Sequence, residues 1–256
     1  MSGLRVEPAH GGALLRLILD RPKGNVVTMD VIGELRAALA SMAPGTGIKL
    51  VTLEAAGPNF SYGASVEEHV AERIAGVLAE LNGAVLDLLR TPAPTLAVVR
   101  GRCLGGGFEL VLACDMVFAS EDAVLGVPEV GLGVFPPAAA ALLPLRVGAS
   151  RAARAVLGGE SLSAAWWQAA GLVDRVAPSD RLDAEAAGWF AQQLAPKSAA
   201  ALAHAAEASR AGMLRVLPEL LAGLETQYLD RLMRTHDASE GIAAFMERRQ
   251  PHWKDA

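Results

Sequence analysis

The stretch Gly105-Gly106-Gly107-Phe108-Glu109, read together with Pro128-Glu129 further along, decides how this chain is understood. A run of glycines opening an apolar helix leaves bare backbone N–H groups for any anion beside it, and the helix dipole adds to the attraction. On a helix, Glu109 lies one turn past Gly106 and on the same face. Glu129 offers a second carboxylate. An anion site flanked by two carboxylates is what proton transfer next to a carbonyl requires.

The neighbours of each acid sharpen that reading. Glu109 is set among Phe108, Leu110 and Val111, a costly place for an ionised carboxylate unless it has a function there. Glu129 follows a proline that biases Val127 toward an extended conformation, which predicts a loop just after a strand. The plainer alternative for Glu129 is a helix cap or a surface ion pair. Gly105 and Gly107 have a plainer reading as well, close packing of a helix against a strand.

The chain has 256 residues, 52% of them hydrophobic, enough for one large core or a core with a small appendage. Its net charge of −5 argues against a nucleic-acid surface, which needs a basic face. Cys103 and Cys114 lie in apolar stretches and read as buried, reduced thiols. No His, Asp or Glu spacing suggests a metal. The opening Met1-Ser2-Gly3-Leu4-Arg5 lacks an apolar leader run and no later stretch reads as a membrane span, so a soluble cytoplasmic protein is expected.

Working outward from the glycines, Thr95–Val99 reads as the strand that delivers them, and residues 116–119 and 123–125 as the strands that follow. Upstream, residues 14–19 and 48–53 are strands, separated by a helix capped by Thr28 and running to about Met42. A long helix is predicted from about Val70 to Arg90. Strands alternating with helices imply right-handed crossovers and a largely parallel sheet. Beyond about residue 138 the pattern turns helical, apart from a short strand over 172–176.

Nucleotide-cofactor folds do not fit. A dinucleotide fingerprint needs its glycines after the first strand, and a glutamate as close as Glu109 would repel a pyrophosphate. Neither a phosphate-binding G-x-x-x-x-G-K-[ST] loop nor a G-x-S-x-G nucleophile turn is present.

The segment from Ala97 through Arg100-Gly101-Arg102-Cys103-Leu104-Gly105-Gly106-Gly107-Phe108-Glu109-Leu110, with Leu125-Gly126-Val127-Pro128-Glu129-Val130-Gly131-Leu132-Gly133, resembles the signature of the enoyl-CoA hydratase/isomerase (crotonase) superfamily. Arg21-Pro22-Lys23, Asn59-Phe60-Ser61-Tyr62-Gly63-Ala64, Ala169-Ala170-Gly171-Leu172-Val173 and the run Glu240–Arg249 extend the likeness in the right order. Phe60–His69, Gly133-Val134-Phe135 and His236-Asp237-Ala238 are similar to the branch of that superfamily that hydrates cyclic dienoyl-CoA thioesters.

The resemblance implies an α/β fold, a crotonase-like (ClpP/crotonase) spiral core of ββα units over residues 1–195. Residues 196–256 would form a helical region for trimerisation, giving a trimer or hexamer. It implies a thioester oxygen held by the N–H groups of Tyr62 and Gly106, with Glu129 serving the substrate carbon and Glu109 orienting and deprotonating water. Lys23, Gly24 and Asn25 would flank the nucleotide of CoA, the carbonyls around Ser61 and Ala64 would face the adenine, and Phe245 and Arg248 would reach the CoA of a neighbouring subunit. Leu132, Val134, Phe135 and Pro137 would line the acyl pocket.

The implied activity is hydration of a conjugated enoyl- or dienoyl-CoA, with CoA part of the substrate and no separate cofactor. A straight-chain hydratase, an enoyl-CoA isomerase and a non-catalytic acyl-CoA-binding protein are the alternatives.

The chain departs from the superfamily pattern at three points. Ser65 replaces a common aspartate, Val127 a frequent glutamine, and Pro136-Pro137 stand where many hydratases have Pro-Gly. Proline has no N–H, so a water cannot be held by the backbone at 137. That counts against simple straight-chain hydration, and the resemblance to the cyclic-dienoyl branch, which has a similar proline-containing loop, implies a ring substrate. Blander readings apply to Trp166-Trp167 (core packing), to His69 (a surface or capping residue), and to His204 and His236 (exposed).

Overall fold

The computed structural model describes residues 3–70 and 73–256. Its centre is a six-stranded sheet in the order β1 (Leu4–Ala9), β2 (Leu14–Leu19), β3 (Leu50–Ala55), β4 (Thr95–Val99), β6 (Met116–Ser120) and β9 (Arg175–Ala177). β1 and β2 form an antiparallel hairpin, and every other pairing in this sheet is parallel. A second sheet joins β5 (Arg102–Leu104), β7 (Val124–Gly126) and β8 (Ser161–Ser163). The expected parallel core is present.

Alternation along the strands sorts their side chains onto two faces. Leu50, Leu96, Val98 and Phe118 pack with Leu182, Phe190 and Leu194 on one side, from α7 (Leu182–Trp189) and the turn after it. Val51, Leu53, Ala97, Val99 and Val117 face the main core on the other. There they meet α1 (Met29–Ala40), α2 (Ile74–Arg90), α3 (Gly105–Leu112) and α4 (Pro137–Val147). Residues Ile74, Val77, Leu78, Leu81, Val85 and Leu88 give α2 one continuous buried stripe at helical spacing.

The remaining helices are α5 (Ala149–Gly158), α6 (Ala164–Ala169), α8 (Ala199–Asp230) and α9 (His236–Met246). α8 packs against α2 and α4. It is fastened by Arg210, 4% exposed, whose guanidinium pairs with Asp115 and donates to the carbonyls of Thr91 (2.6 Å) and Ala93 (2.8 Å). Among the described residues, no helix is long and apolar enough to cross a membrane.

Several boundaries differ from expectation. The strand expected over 48–53 is Leu50–Ala55, because its parallel ladder starts where Leu14 pairs with Leu50. Only the end of the 172–176 segment becomes a strand. Its approach is held instead by Asp174, whose carboxylate accepts the Val117 N–H at 2.8 Å. Thr28 stands at the N-cap of α1 without capping it: Thr28 Oγ1 accepts from Arg21, and the Met29 N–H goes to Glu68 at 3.0 Å. The helix expected from Val70 runs from Ile74, and positions 71–72 of that expectation lie outside the described residues. The three-residue strands β5 and β8 carry too little pattern to read, and β1 alternates weakly.

Candidate active site

β5 hands the chain to α3 through Gly105 at φ +49°, a left-handed conformation suited to glycine. The three glycines then do different things. A Cβ on Gly107 would lie 2.4 Å from Ser61 Cβ, so Gly107 serves close packing. A Cβ on Gly105 would lie 2.5 Å from Glu129 Oε1, so Gly105 makes room for a carboxylate. Gly106 faces Ala64, with its missing Cβ 3.3 Å from the Ala64 nitrogen. Gly106 also occupies the first turn of α3, where N–H groups have no partner inside the helix.

Glu109 projects from the next turn and is 2% exposed. Its Oε1 accepts the Ala139 N–H at 2.9 Å, from the first turn of α4. Pro136 and Pro137 open that helix with no N–H of their own, so the first amides it presents are those of Ala138 and Ala139. Both act on Glu109. The positive end of α4 therefore faces a carboxylate.

Glu129 sits in the single-turn helix Pro128–Leu132 that follows β7. Its Oε2 is fully covered and has no hydrogen-bond partner among the described residues.

Burial raises both carboxyls above the ordinary carboxylate range, but their surroundings differ. The amides of Ala139 and Ala138 favour the ionised form of Glu109. Glu129 has no such donors from α4, and the charge of Glu109 pushes it further up. Environments that split the proton affinities of two acids assign them opposite roles: Glu109 is suited to take a proton and Glu129 to hold one.

The expected pairing of Tyr62 with Gly106 needs correction. The Tyr62 N–H donates to Gly24 O at 2.9 Å and is not available to an anion. Two residues on, a parallel bridge joins Val27 and Ala64 through Gly63 O and the Ser65 N–H. That arrangement turns the Ala64 N–H away from the bridge and toward Gly106. Ala64 and Gly106 are thus the neighbouring amides at the mouth of α3.

A cavity of about 500 Å³ lies in front of them, lined by Ala64, Gly105, Glu129, Leu132, Val134, Ile242 and Phe245 among others. A second cavity of about 530 Å³ is lined by Lys23, Gly24, Asn25, Pro58 and Asn59, and Tyr62 borders both. The Tyr62 ring lies over Gly24, where a Cβ would come within 1.8 Å of it.

Other expected residues divide. Lys23, at φ +66°, lines the outer cavity, whereas Asn25 lines it but spends its side chain on Arg21, Ala56 and Asn59. Ser61 is fully buried: its hydroxyl bonds Asn25 O and the Gly63 N–H, and its carbonyl accepts the Leu104 N–H. Ser61 therefore supports the loop and does not face a ligand. Ala64 lines the inner cavity with Glu129 instead of the outer one. Phe245 walls the cavity of its own chain, and Arg248 is exposed outside it. Leu132 and Val134 line the inner cavity; Phe135 and Pro137 stand behind its surface.

His69 closes the single turn Val66–Glu68, in keeping with its capping reading, and also lines the inner cavity. His69 Nδ1 donates to Ser65 O at 2.7 Å, which leaves Nε2 as an acceptor, and burial lowers its proton affinity. The i, i+4 spacing of Ser65 and His69 was the available signal. Trp167 is core, as read, with Nε1 bonded to Leu125 O at 3.0 Å. Cys103 and Cys114 are free, buried thiols raised by desolvation.

Sequence reasoning missed Tyr228, from α8, whose ring meets Phe135 edge-on at 5.3 Å. It also missed Ile242, contributed by α9. Both sit on helices whose inward faces cannot be told from ordinary core stripes.

Comparison with known proteins agrees with this geometry. The enoyl-CoA hydratase/isomerase family model matches residues 10–256. Cyclohexa-1,5-dienecarbonyl-CoA hydratase from Thauera aromatica is 41% identical over 254 residues, covering 99% of this chain and 98% of the relative. The 2,3-dehydroadipyl-CoA hydratase of Escherichia coli is 37% identical, with 94% and 95% covered. The crystal structure of an enoyl-CoA hydratase from Mycobacterium avium subsp. paratuberculosis superposes with a TM-score of 0.88 at 32% identity, covering 100% of both chains. By the family model that spans residues 10–256 and by relatives of 37–41% identity over nearly its whole length, the chain belongs to the enoyl-CoA hydratase/isomerase family.

Proposed function

We propose that this protein is an acyl-CoA hydratase that adds water to cyclohexa-1,5-dienecarbonyl-CoA, giving a hydroxycyclohexene-carbonyl-CoA. The observation that carries the proposal is the split acid pair, Glu109 and Glu129, beside the Ala64 and Gly106 amides. The relative of 41% identity supports the ring substrate, as does the apolar wall of Leu132, Val134 and Ile242.

The thioester oxygen lies between the Ala64 and Gly106 N–H groups. Glu109, as carboxylate, takes a proton from water while the water oxygen bonds to a carbon of the conjugated system. The displaced electron pair moves to the thioester oxygen, where each amide stabilises the developing charge; one such donor is worth about 10²–10³ in rate. Glu129 then gives its proton to the second carbon, and the electron pair returns from oxygen. Water is then divided between the two carbons and the pair is left reversed, Glu109 protonated and Glu129 ionised; passage of that proton from Glu109 to Glu129 restores the starting state.

CoA enters through the outer cavity, past Lys23 and the Tyr62 ring. Homo-oligomerisation, as a trimer or hexamer, is part of the same proposal. Val216 and Leu220, one turn apart on α8 and 39% and 43% exposed, offer an apolar contact for a second copy.

The test is a substrate panel. Purified protein is given cyclohexa-1,5-dienecarbonyl-CoA and crotonyl-CoA, and loss of the conjugated absorbance is followed. The ring thioester is expected to be hydrated with the higher kcat/KM. Preference for crotonyl-CoA overturns the ring assignment, and failure to hydrate either overturns the hydratase reading.

A further inference from the structure

Tyr228 is 1% exposed, and its hydroxyl is buried without a hydrogen-bond partner among the described residues. A buried, unpaired hydroxyl has lost its hydration with no bond in return, so a fold that needed only the ring would be better served by phenylalanine. The ring is held firmly. It packs edge-on against Phe135, in a cluster with Val134 and Ile242, two residues that wall the inner cavity.

The charges of Glu129 and Glu109 both act on the Tyr228 hydroxyl, and together with burial they raise its proton affinity. Tyr228 is therefore a neutral O–H donor wherever the enzyme works. Glu129 Oε2 is the other buried polar atom near the cavity without a partner. Two orphaned polar groups that share one field, Glu129 lining the cavity and Tyr228 packed against its wall, call for a small ligand that both can bond. A water molecule or a hydroxyl group has that chemistry, with two protons or one to give and lone pairs to receive.

We infer that the Tyr228 hydroxyl donates a hydrogen bond to the oxygen that the reaction installs, first as water and then as the product hydroxyl. This makes Tyr228 a recognition element for the hydroxylated side of the reaction, and it rests on the hydratase reading for what that oxygen is. The thioester, already held by backbone amides, does not need it. Tyr228 should thus discriminate between acyl-CoA molecules with and without the hydroxyl, and contribute little to those without.

The test compares Tyr228→Phe with the wild type by calorimetric titration of hydroxycyclohexene-carbonyl-CoA and of cyclohexene-carbonyl-CoA, alongside hydration rates. The variant is expected to bind the hydroxylated ligand at least tenfold more weakly and the other unchanged, with kcat lowered and Tm unchanged or raised. Equal loss for both ligands, or no loss for either, overturns the inference. Hydration by the wild type combined with unaltered discrimination in the variant removes only the role of Tyr228. Tyr228-dependent binding of the hydroxylated ligand without any hydration removes only the hydratase reading.

Discussion

Gly105 and Glu129 are fitted to one another: the side chain that Gly105 lacks would begin 2.5 Å from Glu129 Oε1. The opening residue of α3 therefore sets the position of an acid that reaches it from the loop after β7.

Gly105→Ala is expected to separate stability from activity. The obstructing atom is the end of a flexible side chain, so the carboxylate moves and the fold survives. A methyl at φ +49° costs about 1–2 kcal/mol. Displacing a reacting group by about 1 Å can cost 10² in rate. Chemical denaturation should show the modest stability loss while kcat falls by about that factor. Unchanged kcat would show that Glu129 is not placed by this contact.

Glu109→Gln and Glu129→Gln should each lower kcat by about 10²–10⁴, the range for a lost acid or base, with acyl-CoA affinity largely retained. Steady-state kinetics beside ligand titration checks this. Full turnover in either variant would remove that glutamate from the reaction.

The raised carboxyl of Glu129 also predicts a pH-dependent stability. Its folded-state proton affinity exceeds the unfolded value of about 4.3, so above that pH the folded protein holds a proton that the unfolded chain releases. Stability falls as pH rises toward the folded value. Glu129→Gln lacks this loss, and its Tm advantage over the wild type should grow from about pH 5 to about pH 8, as the wild type loses about 1.4 kcal/mol per pH step of one. A constant difference in Tm across that range would contradict the burial argument.

Arg210→Ala should destabilise by about 3–5 kcal/mol, because it leaves the Asp115 charge with only the neutral donors of Thr95 and the carbonyls of Thr91 and Ala93 without the guanidinium. The urea midpoint measures the loss. A change under about 1 kcal/mol, the value of a surface ion pair, would mean that the clamp between α8 and the core is solvated.

Val216→Glu with Leu220→Glu tests the oligomer. Light scattering should show a shift to smaller species, since the exposed apolar pair on α8 would then carry two charges. An unchanged mass would place the interface elsewhere.

Much of the site was legible because its chemistry is local. Gly106 and Glu109 share one short helix, and Pro128 dictates the loop of Glu129, so their spacing needed no tertiary knowledge. The parallel core was equally legible from short apolar, β-branched runs such as residues 48–53 and 95–99 set between helices, though the first strand lies two residues further on. The partner amide was not. Tyr62 and Ala64 both border the cavity, and which N–H is free depends on pairing with Gly24 and Val27, far away in the chain.

By itself, the sequence determined the family and singled out two candidate acids and the glycine-opened helix, because each is specified by its immediate neighbours. Tertiary structure set the two acids in different surroundings, with the amides of α4 aimed at Glu109. It also brought Ile242 from α9 to the cavity and Tyr228 from α8 into the cluster that backs it. Proton affinity and hydrogen-bond vacancy are properties of a surrounding field, and that field is assembled only when distant segments pack.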